Sequence, residues 1–198
     1  MTMTTTKRIT RDSLMSLESY AKTRKEFRAN AIAHKRLRTV HIGDHVTLLF
    51  EDEMTIRYQI QEVLRVEKTF EEAGIQDELD AYTPLVPDGR NFKATMLIEY
   101  VDEAERRSAL TRLKGIEDKA WVQVEGSGKV YAVADEDLQR ENETKTSAVH
   151  FLRFELTEEM AAALKYGVSL TMGVDHAHYA AVVEINSLTR TALVNDLT

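Results

Sequence analysis

The residues best suited to chemistry in this sequence are histidines and the carboxylates that could join them on a metal ion. Asp175, His176 and His178 form a D-H-x-H run, and His150 lies at an inward position of a predicted strand. Histidine and aspartate are suitable ligands for Zn²⁺ or Fe²⁺, and alternate side chains of an extended segment share a face. These four residues, with Glu67 as a further carboxylate, form the candidate metal site. The alternatives are solvent-facing turn histidines and a hydrogen-bonded core histidine at position 150.

A second set of polar side chains interrupts the apolar faces of two predicted helices. Arg24 lies within the apolar stripe of the first helix, with Arg28 at its edge. Gln59 and Glu67 project into the predicted apolar face of the second helix. A buried charge needs a partner, so we expect Arg24 to pair with Glu67. The resulting network either fixes how the two helices pack or binds a small anion such as a carboxylate.

Several classes of chemistry are excluded by residues and motifs that the sequence lacks. With no cysteine in 198 residues, the chain has no disulfide, thiolate metal site or cysteine nucleophile. The glycine-rich nucleotide motifs and H-E-x-x-H are missing too. The composition, 43% hydrophobic and 30% charged, is typical of a soluble globular protein. The N-terminus has no apolar signal segment, and no apolar stretch is long enough to span a membrane. We therefore expect a soluble, cytoplasmic protein.

Charge is distributed unevenly along the chain. Residues 7–38 carry a net charge of +7, whereas the remainder carries −14. A basic segment of this kind can bind nucleic acid, or it can dock on an acidic protein surface. The acidic remainder of the chain supplies such a surface, which favours docking within the molecule or on a second copy over nucleic acid. A homodimer is therefore expected.

The elements that must position these residues are predicted from periodicity and turn residues. A long helix is expected over 13–38, and a strand followed by the longest helical pattern over 45–74. The proline-containing loop 82–91 marks a possible subdomain break, after which strands dominate. The pattern predicts an α+β fold in which N-terminal long helices pack on a mixed, mostly antiparallel sheet. Residues 1–9 are expected to be disordered and residues 10–198 to form a single domain.

The second helix carries the most specific local predictions. Asp52 occupies the position of an N-cap, and Gly74 is expected to end the helix. At about 100° per residue, one face gathers the apolar side chains. These are Ile56, Ile60, Val63, Leu64, Val66 and Phe70. Gln61 falls on the opposite, polar face.

Six stretches of this sequence carry a resemblance to a known family. They are FEDEMTIRYQIQEVLR, FEEAGIQDELDAYTPLVPDG, GIEDKAWVQVEG, ADEDL, KTSAVHFLRFEL and MGVDHAHY. From Leu14 to Tyr179 the chain resembles a bacterial family of uncharacterised proteins, number thirty-five-oh-one among the domains of unknown function. Such proteins are often encoded beside rubrerythrin-like proteins and Fe–S oxidoreductases, so the resemblance implies a redox or peroxide-stress setting. It supplies no catalytic residue.

Two functional hypotheses follow. The first is a cytoplasmic accessory or interaction protein that works with a rubrerythrin-like or Fe–S oxidoreductase partner. Because this chain has no cysteine, any cluster chemistry would belong to that partner. The alternative is a small metal-binding protein or metal-dependent enzyme with a histidine and carboxylate site.

Overall fold

The computed structural model describes residues 9–136, 140 and 144–198. Six α-helices lie in this part of the chain: α1 Leu17–Arg36, α2 Glu53–Glu67, α3 Glu72–Tyr82, α4 Glu103–Arg112, α5 Glu158–Lys165 and α6 Ser187–Val194. The strands are β1 Thr39–Ile42, β2 Val46–Phe50, β3 Asn91–Ile98, β4 Ala120–Val124, β5 Val130–Tyr131, β6 Val133–Ala134, β7 Val149–Glu155, β8 Leu170–His176 and β9 Tyr179–Glu184. Residues 1–8 of the predicted disordered terminus lie outside the described residues, and Ile9 is buried. Among the helices described, none combines the length and the apolar character that a membrane crossing requires.

The strands form two sheets, and the predicted α+β class is confirmed. The first sheet has the order β1-β2-β3-β7-β6 and the second the order β5-β4-β8-β9. Every strand pairing within the described residues is antiparallel. Alternating burial along β3 and β7 shows that one face of the first sheet is directed at the core. The sheets and α4, α5 and α6 share one apolar core.

The chain passes directly from one sheet to the other between β5 and β6. Tyr131 pairs with Trp121 in the second sheet, and Val133, two residues later, pairs with Arg153 in the first. Close contact within the second sheet depends on Gly173, because a Cβ there would lie 2.4 Å from Trp121 Cζ2. A larger residue at position 173 would therefore displace the buried Trp121 ring.

The helical part has an apolar core of its own. Side chains from α2 and α3 meet the segment that precedes α1, and this cluster contains Ile9, Leu14, Ile56, Ile60, Leu64, Ile75 and Leu79. The helix α1 begins at Leu17 rather than Ser13, because Ser16 provides its N-cap by accepting from Ser19 N. Of the residues in α1, only Tyr20 and Ala31 are buried. Most of this long basic helix is therefore exposed to solvent.

The predicted end of the second helix is wrong, and its predicted apolar face is confirmed only for Ile56, Ile60 and Leu64. Helix α2 ends at Glu67, because Lys68 adopts a left-handed conformation with φ of 55°. Gly74 instead lies inside α3. The buried side chains of α2 are Thr55, Ile56, Ile60, Gln61 and Leu64, whereas Val66 and Phe70 are exposed. The side of α2 that packs inward is therefore rotated from the predicted apolar face, away from Val63 and Val66 and toward Thr55 and Gln61.

Candidate functional site

The predicted helix–helix ion pair forms, but with a different carboxylate. Arg24 donates to both carboxylate oxygens of Glu62, from Nε and Nη2, each at 2.8 Å. The buried Tyr20 donates to Glu62 Oε1 at 2.6 Å, and Arg65 Nη2 lies 3.3 Å from Glu62 Oε2. The hydrogen bond from Arg24 is the main cause that lowers the pKa of Glu62 to about 2. The carboxylate is therefore fully engaged and fixes α1 against α2.

The other predicted members of that network lie apart from it. Gln59, Glu67 and Arg28 are all exposed, so the predicted pairing of Arg24 with Glu67 is wrong. The physical reason is the rotational error in α2, since Glu62 rather than Glu67 faces α1. Gln61, expected on the polar face, is completely buried. It accepts from Met15 N at 2.6 Å and donates to Met15 O at 3.4 Å, which secures the segment before α1.

The four predicted metal ligands do not converge. Asp175 and His176 end β8 in the second sheet, whereas His150 is on β7 in the first. Asp175 is engaged by Lys129 Nζ at 2.7 Å and Tyr131 Oη at 2.8 Å, and the hydrogen bond from Lys129 is the main cause of its lowered pKa. His176 Nε2 lies 3.0 Å from the Lys114 carbonyl oxygen. These side chains have local structural partners instead of a common centre.

His150 has carboxylate neighbours that the sequence did not indicate. It is completely buried, and its Nδ1 lies 2.6 Å from Asp135 Oδ2. Its Nε2 lies 3.0 Å from Thr146 Oγ1, 3.1 Å from Ser147 O and 3.7 Å from Glu117 Oε2. Within the described residues, Glu117, Asp135 and His150 are the one group whose ligand atoms are close enough to share a metal ion.

Asp135 reaches His150 through an unusual backbone conformation. Its φ is 49°, in the left-handed region that aspartate tolerates better than most residues. Asp135 Oδ1 accepts from Phe151 N at 3.0 Å and forms an ion pair with Arg140 at 3.2 Å. The carboxylate is thereby held in position to orient the His150 ring, as carboxylates do beside metal-binding histidines.

A separate cleft of about 650 Å³ opens where the ends of three helices meet, and we call it the α6 cleft. The end of α1, the start of α2, the loop before β3 and helix α6 with the following residues form its walls. It is lined by His34, Leu37, Arg38, Asp52, Glu53, Met54, Val86, Pro87, Leu188, Thr191, Ala192, Asn195, Asp196 and Thr198. Its size is within the range of about 300–1,000 Å³ that is typical of small-molecule sites.

The floor of the α6 cleft is the buried guanidinium of Arg38, which is 1% exposed. Its N–H groups donate to oxygen atoms from two parts of the chain: Phe50 O at 3.0 Å, Glu51 O at 3.1 Å, Ala192 O at 3.0 Å and the Asp196 carboxylate. A further ion-pair contact, at 3.5 Å, joins Nη1 to Asp52 Oδ2. Arg38 thus positions α6 against the end of β2 and has little capacity left for a ligand.

A histidine–aspartate pair forms one wall of the α6 cleft. His34 Nε2 lies 2.5 Å from Asp52 Oδ2, and the His34 side chain is 30% exposed. Asp52 is also the N-cap of α2, as predicted, since its Oδ1 accepts from Thr55 N at 3.0 Å. Burial acts to raise the pKa of Asp52, but the hydrogen bond to His34 and the charge of Arg38 outweigh it, so the net shift is downward.

Asp196 lies beside this pair but has the opposite pKa shift. Burial raises its pKa to about 6, although the charge of Arg38 opposes the shift. Two carboxylates with pKa values shifted in opposite directions, next to a partly exposed histidine, are typical of functional sites. Sequence reasoning missed this group, apart from the capping role of Asp52. The residues are far apart in sequence, and no motif connects them.

The fold and this cleft together define an α+β protein of two antiparallel sheets, with a helical pair and a small-molecule-sized cavity beside it. The chain belongs to the family of proteins of unknown function DUF3501, whose pattern it matches over residues 8–197. The predicted resemblance is thus confirmed as a family assignment. The chain is similar to a crystal structure of a novel protein of unknown function from Burkholderia pseudomallei K96243, with 56% identity and a TM-score of 0.93. That match covers 97% of this chain and 100% of the other. No curated protein matches the chain.

Proposed function

We propose that this protein binds a small organic molecule in the α6 cleft. The observation that carries the proposal is the His34–Asp52 pair on the wall of a cavity with largely apolar surroundings. Within the described residues, His34 Nδ1 has no hydrogen-bonding partner, so the ring retains one nitrogen that can exchange a proton with a ligand. Leu37 and Leu188 line the same cleft with 45% and 70% of their surfaces exposed, and supply apolar contact area.

Protein-observed NMR with a set of neutral, cationic and anionic fragments tests this proposal. We expect shift changes at backbone amides that line the α6 cleft, and expect Thr191→Phe to abolish them by filling the cavity. Thr191 is exposed, and its hydroxyl donates to Ser187 O within α6. Thr111→Phe is the matched control, because Thr111 is also exposed and its hydroxyl donates to Arg107 O of its own helix. Shifts elsewhere, or shifts unchanged by Thr191→Phe, would contradict the proposal.

A second candidate function is metal binding, and the specific observation in its favour is the buried group Glu117, Asp135 and His150. His150 Nε2 and Glu117 would be the ligands, with Asp135 orienting the ring from Nδ1. A nitrogen and oxygen ligand set suits Zn²⁺ or Fe²⁺. Alternatively, the same contacts serve only to satisfy the polar atoms of the buried His150 side chain and have a purely structural role.

Equilibrium dialysis against Zn²⁺, or against Fe²⁺ without oxygen, followed by elemental analysis, separates these roles. Metal binding predicts one retained equivalent that Glu117→Gln removes. His178→Asn should have no effect, because His178 is exposed and outside the group. Wild-type protein that retains no metal, or Glu117→Gln protein that retains as much, would leave only the structural role.

The accessory role implied by the family resemblance is also a proposal, for a cytoplasmic protein and a rubrerythrin-like or Fe–S oxidoreductase partner. Its structural support is the basic face of α1, where Lys25 and Arg28 are exposed to solvent. A homodimer through the same face is the competing use. Binding of a purified rubrerythrin-like protein that weakens with salt and with Lys25→Glu/Arg28→Glu supports the partner. If the rubrerythrin-like protein does not bind, and if the wild-type chain forms a dimer that Lys25→Glu/Arg28→Glu dissociates, the homodimer is supported instead.

A further inference from the structure

We propose that the ligand of the α6 cleft is a small organic amine, bound as its ammonium ion beside Asp196 and Asp52. Its carbon skeleton would contact Leu37 and Leu188. This inference rests on the proposed function and adds the chemical class of the ligand.

The charges that line the cleft favour a cation. Three carboxylates belong to the wall: Asp52, Glu53 and Asp196. Among the described lining residues Arg38 is the one lysine or arginine, and both Asp52 and Asp196 share its guanidinium. Because Arg38 is already committed to protein oxygens, it is unsuited to bind a carboxylate or phosphate ligand. An anionic ligand would meet like charges, whereas an ammonium ion would meet carboxylates.

Asp196 supplies the specific point of attachment. Its side chain is only 7% exposed, and one oxygen, Oδ2, accepts from Arg38. Its other oxygen, Oδ1, accepts no hydrogen bond from any described residue. Oδ1 is not among the completely buried atoms without a partner, and Asp196 lines the α6 cleft, so this oxygen is accessible to a molecule in the cleft. Burial raises the pKa of Asp196, so a further positive charge nearby would stabilise its ionised form. An ammonium N–H would donate to Oδ1 and add a second positive charge beside that of Arg38.

Binding should depend on pH in a defined direction. The charged groups facing Asp196 are His34 from α1, Arg38 from the short segment between α1 and β1, and Asp52 from the start of α2. As the pH rises from about 5 to about 7.5, Asp196 ionises and amine affinity should increase about tenfold. Asp52, whose pKa is lowered, stays ionised over this range. Alkylamines remain cationic throughout this range, so the change originates in the protein.

Isothermal titration calorimetry with matched probes tests the ligand class. The probes are hexylamine and cyclohexylamine, each compared with the alcohol and the carboxylic acid of the same carbon skeleton. We expect the amines to bind at neutral pH, the alcohols at least tenfold more weakly, and the carboxylates not at all. Binding should weaken about tenfold at about pH 5.

Variants test the role of Asp196. Asp196→Asn keeps an acceptor for Arg38 and should lower amine affinity at least tenfold and remove most of the pH dependence. Asp118→Asn is the control, since Asp118 is exposed and outside the cleft. Leu188→Lys adds a cation at an exposed position of the rim and should also weaken amines, which provides a second test if Asp196→Asn does not fold.

The outcomes separate the ligand class from the proposed function. If alcohols or carboxylates bind in the α6 cleft as tightly as amines, the amine assignment is wrong while the cleft still binds small molecules. If neither these probes nor the NMR fragments bind there, both proposals fail. If amines bind equally well to folded Asp196→Asn and Leu188→Lys, the assigned attachment point is wrong.

Discussion

At the scale of single residues, the raised pKa of Asp196 predicts a pH dependence of protein stability that requires no ligand. Its folded-state pKa of about 6 is above the unfolded value of 3.8, so its protonated form favours folding. That contribution is complete below the unfolded pKa and is lost as the pH rises through 6. We expect wild-type protein to lose about 2 kcal/mol of unfolding free energy relative to Asp196→Asn between about pH 4.5 and about pH 7.5. Urea denaturation of both proteins at the two pH values measures this difference.

If the unfolding free energies of the wild-type protein and Asp196→Asn change equally with pH, Asp196 is ionised at no cost to folding, and the prediction is wrong. Asp118→Asn provides the baseline, because removal of an exposed carboxylate should leave the pH dependence of the wild-type protein unchanged. The comparison isolates Asp196, because every other titratable group is present in both proteins.

The sequence could indicate some of these residues but not their association. Asp52 was predicted as an N-cap because capping depends on positions a few residues apart. Arg38 and Asp196 are separated by 158 positions, so only the folded chain brings them together. His150 was predicted at an inward position, yet its partner Glu117 begins a short 3₁₀ helix before β4, and its partner Asp135 directly follows β6. Local periodicity contains no information about such contacts.

At the scale of secondary structure elements, the pairing of α1 with α2 depends on Glu62. Glu62→Gln removes the charge that Arg24 contacts and weakens the acceptor for the buried Tyr20 hydroxyl. We expect a loss of about 2 kcal/mol of unfolding free energy at neutral pH. The folded-state pKa of Glu62 is lowered to about 2, from an ordinary value of 4.5. The stabilisation that ionised Glu62 provides should therefore be fully present above pH 4.5 and should decline as the pH falls toward 2.

Glu67→Gln is the matched control in the same helix. Glu67 is exposed, so this variant should change the unfolding free energy by less than roughly 0.5 kcal/mol. Chemical denaturation of both variants decides between the two carboxylates. A larger loss for Glu67→Gln than for Glu62→Gln would restore the pairing predicted from sequence and contradict the observed contact.

The error in α2 has a local physical cause. Its end is a left-handed lysine at position 68, whereas such ends are usually glycine, so the sequence pointed to Gly74 instead. Extending the helix to Phe70 moved the apparent apolar face away from Thr55 and Gln61. Both are buried because their polar atoms are satisfied: Thr55 Oγ1 by the Glu51 carboxylate and Gln61 by the Met15 backbone. Periodicity alone treats such residues as exposed.

At the scale of the whole molecule, the α+β class followed from the sequence, whereas the division into two sheets did not. Alternating apolar residues and turn glycines predict strands and hairpins because these are local features. The chain changes sheets across Ala132 without a glycine or proline that would mark the change. Which edges of the two sheets meet depends on contacts between β9 and the β1–β2 turn, more than 130 positions apart.

Tyr179 makes the contact that joins those edges, and removal of its hydroxyl should destabilise the protein. It donates to Ile42 O at 2.5 Å and accepts from His45 N at 3.1 Å. Gly43 permits this approach, because a Cβ there would lie 2.6 Å from Tyr179 Oη. Tyr179→Phe should therefore cost about 1–2 kcal/mol of unfolding free energy in urea denaturation. Tyr166→Phe is the control: this residue is 91% exposed, and its replacement should cost almost nothing. Equal stabilities of the two variants would mean that the sheets are held together by apolar packing alone.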